Sequence, residues 1–371
     1  MKIVIQHEDL QKALNIVAGI VPGKSTMPIL TCILVETAED GVRFSATNLD
    51  ISATTLVEKA SVKRKGRVAI PAAKFVAFSR SLSPGEVTIE EKAGKVSVVS
   101  GKSALEEPGM NADEFPALPV LAESKGLELP ARTLADMVKS AAYAVSRDET
   151  RPALMGILWE TKPDRLRFVA TDAHRLSRVE MPLKLAGKES RSVIGDANGL
   201  QHFVRLAEGE ETVQVHLGAS QLSFRIGPTQ LHTRLLEGPF PDYEAVIPKH
   251  NNKIVTADRE ALAQAVRRVS ISADRITSQI RLGIENGRLE LLGIGSDGSR
   301  AEDEVPVSYE GEAIEIGFNY NYLQDILRNL RAETIQIAIK DAQSAALIVP
   351  AEKQEDMDVL CLLMPLRLTA D

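Results

Sequence analysis

The chain has 371 residues, which at roughly 100–200 residues per domain predicts two or three domains rather than one. With 44% hydrophobic and 26% charged residues the composition is globular and excludes disorder, collagen and coiled coil. Forty-four Lys and Arg against 51 Asp and Glu leave a net charge of −7, and only 4% of residues are aromatic, so composition alone argues against a nucleic-acid binder.

Residues 1–5 form a short apolar run that His7, Glu8 and Asp9 interrupt, and no stretch of about 18 apolar residues occurs. The expectation is a protein neither exported nor membrane-spanning. Cys32 and Cys361 are the only cysteines, far apart and outside any metal-ligand spacing. That usage suits a reducing cytosol and argues against a disulfide framework.

A helix is predicted over 7–20, followed by strands at 32–36 and 41–47. The run Val68-Ala69-Ile70-Pro71 leads into a second helix over 71–82, and a strand follows at 86–90. Beyond the punctuation Phe115-Pro116-Ala117-Leu118-Pro119 the order returns. A strand at 127–130 precedes a helix over 130–147, where Leu134, Met137, Val138, Ala141 and Ala142 recur at helical spacing. Strands at 156–160 and 165–171, the run Val193-Ile194-Gly195-Asp196, a helix over 196–207 and a strand at 212–216 complete this pass. Phe240-Pro241-Asp242-Tyr243 punctuates again. The third pass has a strand at 253–256, a helix over 258–271 with Asp258 as N-cap, strands at 282–285 and 287–293, the run Ile314-Glu315-Ile316-Gly317, a helix over 319–331 and a strand at 334–338.

These passes are three copies of one unit. Cys32-Ile33-Leu34-Val35-Glu36 and Gly156-Ile157-Leu158-Trp159-Glu160 are offset by 124, as are Thr47 and Thr171; Leu282-Gly283-Ile284-Glu285 is a diverged third copy, with Glu285 lying 125 after Glu160. Two landmarks in matching order and spacing establish the repeat. It predicts an α+β chain with domains at 1–120, 127–248 and 252–371, each built from two strand-helix-strand halves.

Charge segregates by element. The six predicted helices hold twelve Lys and Arg against seven Asp and Glu, a surplus of +5 that leaves −12 for the remainder. Lys74, Arg80, Lys139, Arg147 and Arg205 are among the helical cations. The loops after the first helix of each copy add Lys24, Arg151 and Arg275. Recurrence at equivalent places points to one polyanion-facing surface, although any single Arg taken alone reads better as part of a solvated helix face.

Thr171-Asp172-Ala173-His174-Arg175-Leu176, Phe240-Pro241-Asp242-Tyr243, Gly317-Phe318-Asn319 and Met364-Pro365-Leu366-Arg367-Leu368 resemble, in order, the motifs of the bacterial sliding clamps, the beta subunits of DNA polymerase III. The resemblance spans the full length. It implies three topologically equivalent clamp domains per chain and a head-to-tail homodimeric ring, with helices lining the hole and sheets outside. The implied function is that of a non-catalytic processivity factor: the ring encircles duplex DNA without reading sequence and tethers the polymerase. A bacterial, cytoplasmic, nucleoid-associated location follows, with no cofactor and no metal.

The resemblance also implies sites. Lys24 and the 147–151 loop match positions that touch DNA, and the DNA-facing set becomes Lys24, Lys74, Arg80, Lys139, Arg147, Arg151, Arg205 and Arg275. Pro152 and Ala153 stand where some members carry aromatics, so base stacking is not expected there. A pocket for short peptide motifs lies between the second and third domains. Its lining would be Leu154, Thr171, Ala173, His174, Arg175, Leu176, Pro241 and Val246, with Ala345, Leu362, Met364, Pro365, Leu366 and Arg367 completing it. Expected partners there are the polymerase alpha subunit, the clamp-loader delta subunit, translesion polymerases and repair proteins. Ala173 replaces a common Gly, Ala345 an occasional Ser, and the extra Thr369-Ala370-Asp371 is expected to partly cover Arg367. Leu105, Glu106 and Glu107 would meet Ile271 and Ser272 of a second copy, with Lys95 and Lys102 facing Glu302, Asp303 and Glu304.

Two other readings are open to test. Asp172 and His174 with Arg175 form a candidate acid-base or metal pair for a hydrolase. No Gly-rich phosphate loop or His-Glu-x-x-His accompanies them, and the first copy has Asn48-Leu49-Asp50 in their place, so a polar turn is the expected role. The third reading is a basic-face DNA-binding module without ring closure.

Overall fold

A computed structural model describes residues 1–121, 126–183, 190–353 and 356–368; the tail Thr369-Ala370-Asp371 lies outside the described residues. The fold is α+β, with six α-helices among the described residues: α1 (His7–Ala18), α2 (Ala72–Ser81), α3 (Ala131–Ala142), α4 (Ala197–Leu206), α5 (Arg259–Val269) and α6 (Tyr320–Asn329). Each follows directly from a strand. Asp258 caps α5 by accepting from Ala261 N at 2.7 Å, and Asn319 caps α6 through Asn321 N at 2.9 Å.

The helix predicted over 130–147 stops at Ala142. There the chain turns back, with Ser146 N donating to Leu154 O at 2.8 Å, and Arg147 lies in a loop. Arg331 likewise falls beyond α6. The observed helices hold ten cations and five anions, so the +5 surplus is unchanged.

The chain divides into two compact units, Met1–Leu134 with Asn198–Leu235 and Ala135–Ala197 with Leu236–Asp371. The division cuts through the middle repeat because the sheets join half of one repeat to half of the next. In the first unit an eight-stranded antiparallel sheet runs Arg67–Pro71, Cys32–Thr37, Val42–Thr47, Ile51–Val57, Thr229–Leu236, Gln221–Ile226, Thr212–Leu217, Leu127–Pro130. The second unit repeats this order as Arg191–Asp196, Gly156–Lys162, Arg165–Thr171, Arg175–Pro182, Asp358–Leu363, Ala346–Pro350, Thr334–Ile339, Lys253–Asp258.

Each unit also holds a half-sheet. In the first, Lys2–Gln6, Glu86–Lys92, Lys95–Ser100 and Ser103–Pro108 pair in that order. In the second, Ile314–Asn319, Gln279–Glu285, Arg288–Ile294 and Arg300–Ser308 do so. Among the described residues nothing pairs with the outer side of Ser103–Pro108, and residues 300–305 pair on one side alone, with Arg288–Ile294.

Packing follows the repeat. Phe44 and Phe168, 124 apart, are both fully buried, as are Phe75, Phe203, Phe224 and Phe318. Each contributes roughly 2–3 kcal/mol by leaving water. Helix α1 packs against α2, and α5 against α6. Among the described residues no helix is long and apolar enough to cross a membrane.

Candidate functional site

The motif at 171–176 is a tight turn joining Arg165–Thr171 to Arg175–Pro182. Thr171 Oγ1 donates to Arg175 O at 2.7 Å and accepts from Ala173 N at 3.1 Å. Asp172 Oδ1 accepts from His174 N at 2.9 Å and Arg175 N at 3.0 Å, which fixes Ala173 in the left-handed region at φ 78°. Asp172 Oδ2 pairs with Arg175 Nε at 3.1 Å. The aspartate is consumed by its own turn, and His174 stacks on Tyr322 at 6.1 Å. No group of three or more metal-ligating side chains exists among the described residues. The hydrogen bonds of Asp172 to His174 N, Arg175 N and the Arg175 guanidinium are those of a polar turn.

Arg175 is buried rather than presented. Its second carboxylate is Asp325 on α6 at 2.6 Å, and its guanidinium lies 4.5 Å from the Tyr322 ring and 5.4 Å from that of Tyr143. Asp358–Leu363 adds to the same sheet with Leu176 opposite Leu362, and Met364 N donates to His174 O at 2.9 Å. Beyond it Leu366 bridges to Gly317, and Gln279 Nε2 donates to Arg367 O at 3.2 Å. The closing segment is thus laid across the turn by backbone hydrogen bonds.

The fourteen pocket candidates divide by depth. Leu154, Thr171, Arg175, Leu176, Ala345 and Leu362 are buried, and Leu176, Ala345 and Leu362 share one apolar cluster with Tyr243. These form a floor rather than a contact surface. Ala173, His174, Pro241, Val246, Met364 and Arg367 are exposed, and Pro365 and Leu366 partly so. Val246 at 57% and Met364 at 42% expose apolar side chains that packing alone would hide. Sequence reasoning missed Tyr143, Tyr322 and Asp325. Asn319 three residues before Tyr322 was the available signal, since it marks where α6 begins.

All eight DNA-facing candidates are exposed, but not all are free. Lys74 pairs with Glu107 at 3.2 Å, Arg151 with Asp148 at 2.8 Å, Arg205 bonds His202 at 2.7 Å, and Arg80 reaches Asn15 at 3.2 Å. Lys24, Lys139, Arg147 and Arg275 have no carboxylate within ion-pair distance among the described residues.

The interface candidates differ in exposure and in their partners within the chain. Leu105 and Ser272 are half-buried, while Glu106 and Ile271 are exposed, Ile271 at 83%. Glu107, expected to face a second copy, is only 6% exposed and turns inward to Lys74. Within the chain, Glu302 pairs with Arg300, Asp303 with Arg268 and Glu304 with Arg288. Acids on a strand flanked by arginines find the short-range partner first.

Three consecutive sequence profiles of one family match: the N-terminal domain of the DNA polymerase III beta subunit at residues 1–119, its central domain at 128–242 and its C-terminal domain at 244–367. The beta sliding clamps of Proteus mirabilis and Escherichia coli K12 are 32% and 30% identical over 373 and 370 residues, covering 99% of this chain and 100% of each relative. Among solved structures, the Pseudomonas aeruginosa clamp bound to griselimycin is 29% identical with a TM-score of 0.94, covering 99% of this chain and 100% of that one. The C. crescentus clamp is 31% identical with a TM-score of 0.92, covering 99% of both. The chain belongs to the DNA polymerase III beta subunit family, the beta sliding clamps.

Proposed function

We propose that two copies of this chain close head to tail into a ring on duplex DNA, and that the ring works as the processivity factor of DNA polymerase III. Family membership makes the chain a non-catalytic subunit. The observation that carries ring closure is the pair of open half-sheets. In both complete sheets, four strands of one half-repeat meet four of the next through Ile51–Val57 with Thr229–Leu236, or Arg175–Pro182 with Asp358–Leu363. By repeat position Arg300–Ser308 corresponds to the first member of each pair and Ser103–Pro108 to the second. One copy's 300–305 against the other's 103–108 completes a further sheet of the same kind, and twofold symmetry supplies a second such junction. Exposed Ile271 supports the same contact.

In this ring the helices face the DNA and the sheets form the outer wall. Free cations at Lys24, Lys139, Arg147 and Arg275 attract phosphates through counterion release and read no bases, which permits sliding. Topology rather than affinity keeps the ring on DNA. The exposed apolar surface around Val246, Pro241 and Met364, over its buried floor, receives short peptide motifs of the polymerase alpha subunit, the clamp-loader delta subunit, translesion polymerases and repair proteins. The work is cytoplasmic, on the nucleoid. The domains behind it are 1–120, 127–248 and 252–371.

The test loads the protein onto nicked circular DNA with a clamp loader and then cuts the circle. A ring slides off unblocked ends. Retention after linearisation overturns the topological reading and favours a basic-face module instead.

A further inference from the structure

The segment Phe240-Pro241-Asp242-Tyr243 presents Pro241 outward and buries Tyr243. The Tyr243 ring, 7% exposed, lies in the apolar cluster with Leu176, Ala345 and Leu362, and Phe240 meets it edge-on at 6.4 Å. Its hydroxyl ends among charges. It donates to Glu160 Oε2 at 2.6 Å and accepts from Arg167 Nη1 at 2.6 Å.

Arg167 is itself buried at 6% exposure. The same Nη1 reaches Glu244 Oε1 at 2.5 Å, and Nε lies 2.7 Å from Glu180 Oε1. Register explains the cluster. Glu160 stands opposite Arg167, and Arg167 opposite Glu180, across three neighbouring strands, so the three side chains form a ladder on one sheet face. Arg165 at 3.0 Å and Arg178 at 3.3 Å hold Glu180 from either side.

Burying a guanidinium among carboxylates contributes little net stability compared with well-packed apolar residues, because desolvation offsets most of the attraction. Fixed geometry is what such a network supplies, since every member is tied at short range. Two of its ties, Tyr243 and Glu244, belong to the 240–246 linker rather than to the sheet. We propose that the Glu160, Arg167 and Glu180 ladder is a positioning device that holds this linker in the register presenting Pro241 and Val246 to a partner peptide. This rests on the partner-site reading above. Arg167 and Tyr243 are positioning residues: they act through the linker wall. Burial and the neighbouring Glu160 push the Tyr243 phenol above its usual range, and the Arg167 hydrogen bond holds the Glu244 carboxyl below its own, so both linker ties keep their charge states through neutral pH.

The test measures equilibrium binding of the full chain to the DNA polymerase III alpha subunit of the same bacterium. Tyr243→Phe keeps the ring and removes one hydroxyl, so the fold is retained while binding weakens about fivefold, the equivalent of one hydrogen bond. Combined with Val246→Ala the loss is less than additive, because a truncated wall no longer needs placing; combined with Met364→Ala it is additive. Arg167→Lys, which keeps the charge without the fork, binds between wild type and Arg167→Met. Affinity of Tyr243→Phe within twofold of wild type, or additivity with Val246→Ala, overturns the positioning role. If wild type and Met364→Asp bind alike, the partner-site reading itself falls.

Discussion

One turn recurs at the same place in all three repeats, and its middle residue has a positive φ each time: Leu49 at 81°, Ala173 at 78° and Gly298 at 82°. The residue before each anchors the backbone ahead of it, Asn48 to Ile51 N at 2.7 Å, Asp172 to Arg175 N at 3.0 Å and Asp297 to Ser299 N at 2.9 Å. Only glycine adopts that region without steric cost. Leu49→Gly is therefore expected to stabilise the fold by about 0.5 kcal/mol and Gly298→Ala, where a Cβ meets no neighbour, to destabilise it by about 1 kcal/mol; urea midpoints read both. The turn is also built differently in the two complete sheets. Where Ala173 leaves room, Leu49 projects a side chain, and Arg234 pairs with Asp50 at 3.8 Å where Met364 stands beside His174. A second residue-scale expectation concerns His232. Burial, with His216 nearby, lowers its pKa to about 4, and Ser223 Oγ lies 2.8 Å from its Nδ1. The unfolded state takes up the proton first as pH falls below about 6.5, so the stability is intact above that value and lost progressively toward pH 4. Urea unfolding at pH 5 is expected to show about 2 kcal/mol less stability from this group than at pH 8. His232→Asn should remove that share, and an unchanged pH slope would count against it.

At the scale of elements, strand-to-helix junctions decide where each helix begins and backbone competition decides where it ends. Asp258 caps α5 through its side chain, whereas α1 and α2 start without a side-chain cap and depend on packing of their apolar faces. Asp258→Ala is expected to cost about 1 kcal/mol, seen as a lower thermal midpoint for the unit that contains it. The end of α3 shows the other half of the rule. Helical periodicity continued toward Arg147, but a long-range hydrogen bond from Ser146 to Leu154 diverted the backbone. Periodicity reports which face is apolar; it carries no information about a partner eight residues downstream.

At the scale of the molecule, repetition and open sheet edges carry the proposed assembly. Ile271 is 83% exposed, and the proposed ring would bury it against a second copy. Ile271→Asp is expected to raise the dimer dissociation constant at least tenfold in analytical ultracentrifugation, with the monomer fold retained by circular dichroism. The repeat, the helix count, the +5 on helices and the motif turns were all legible in the residue order, because each rests on local spacing and on self-similarity at a fixed offset. What reading in order could not reach was which charges are answered. Glu107 points to Lys74, Glu302 and Glu304 are taken by neighbouring arginines, and Arg175 lies beneath the surface it was expected to line. Strand register set those pairings, and register depends on which strands meet. The sequence by itself determined three copies of one α+β unit and the family to which they belong. Only the tertiary structure decided which half-sheets remain open, which apolar residues reach the surface, and how one buried arginine ties the linker to the sheet, because those depend on contacts between residues far apart along the chain.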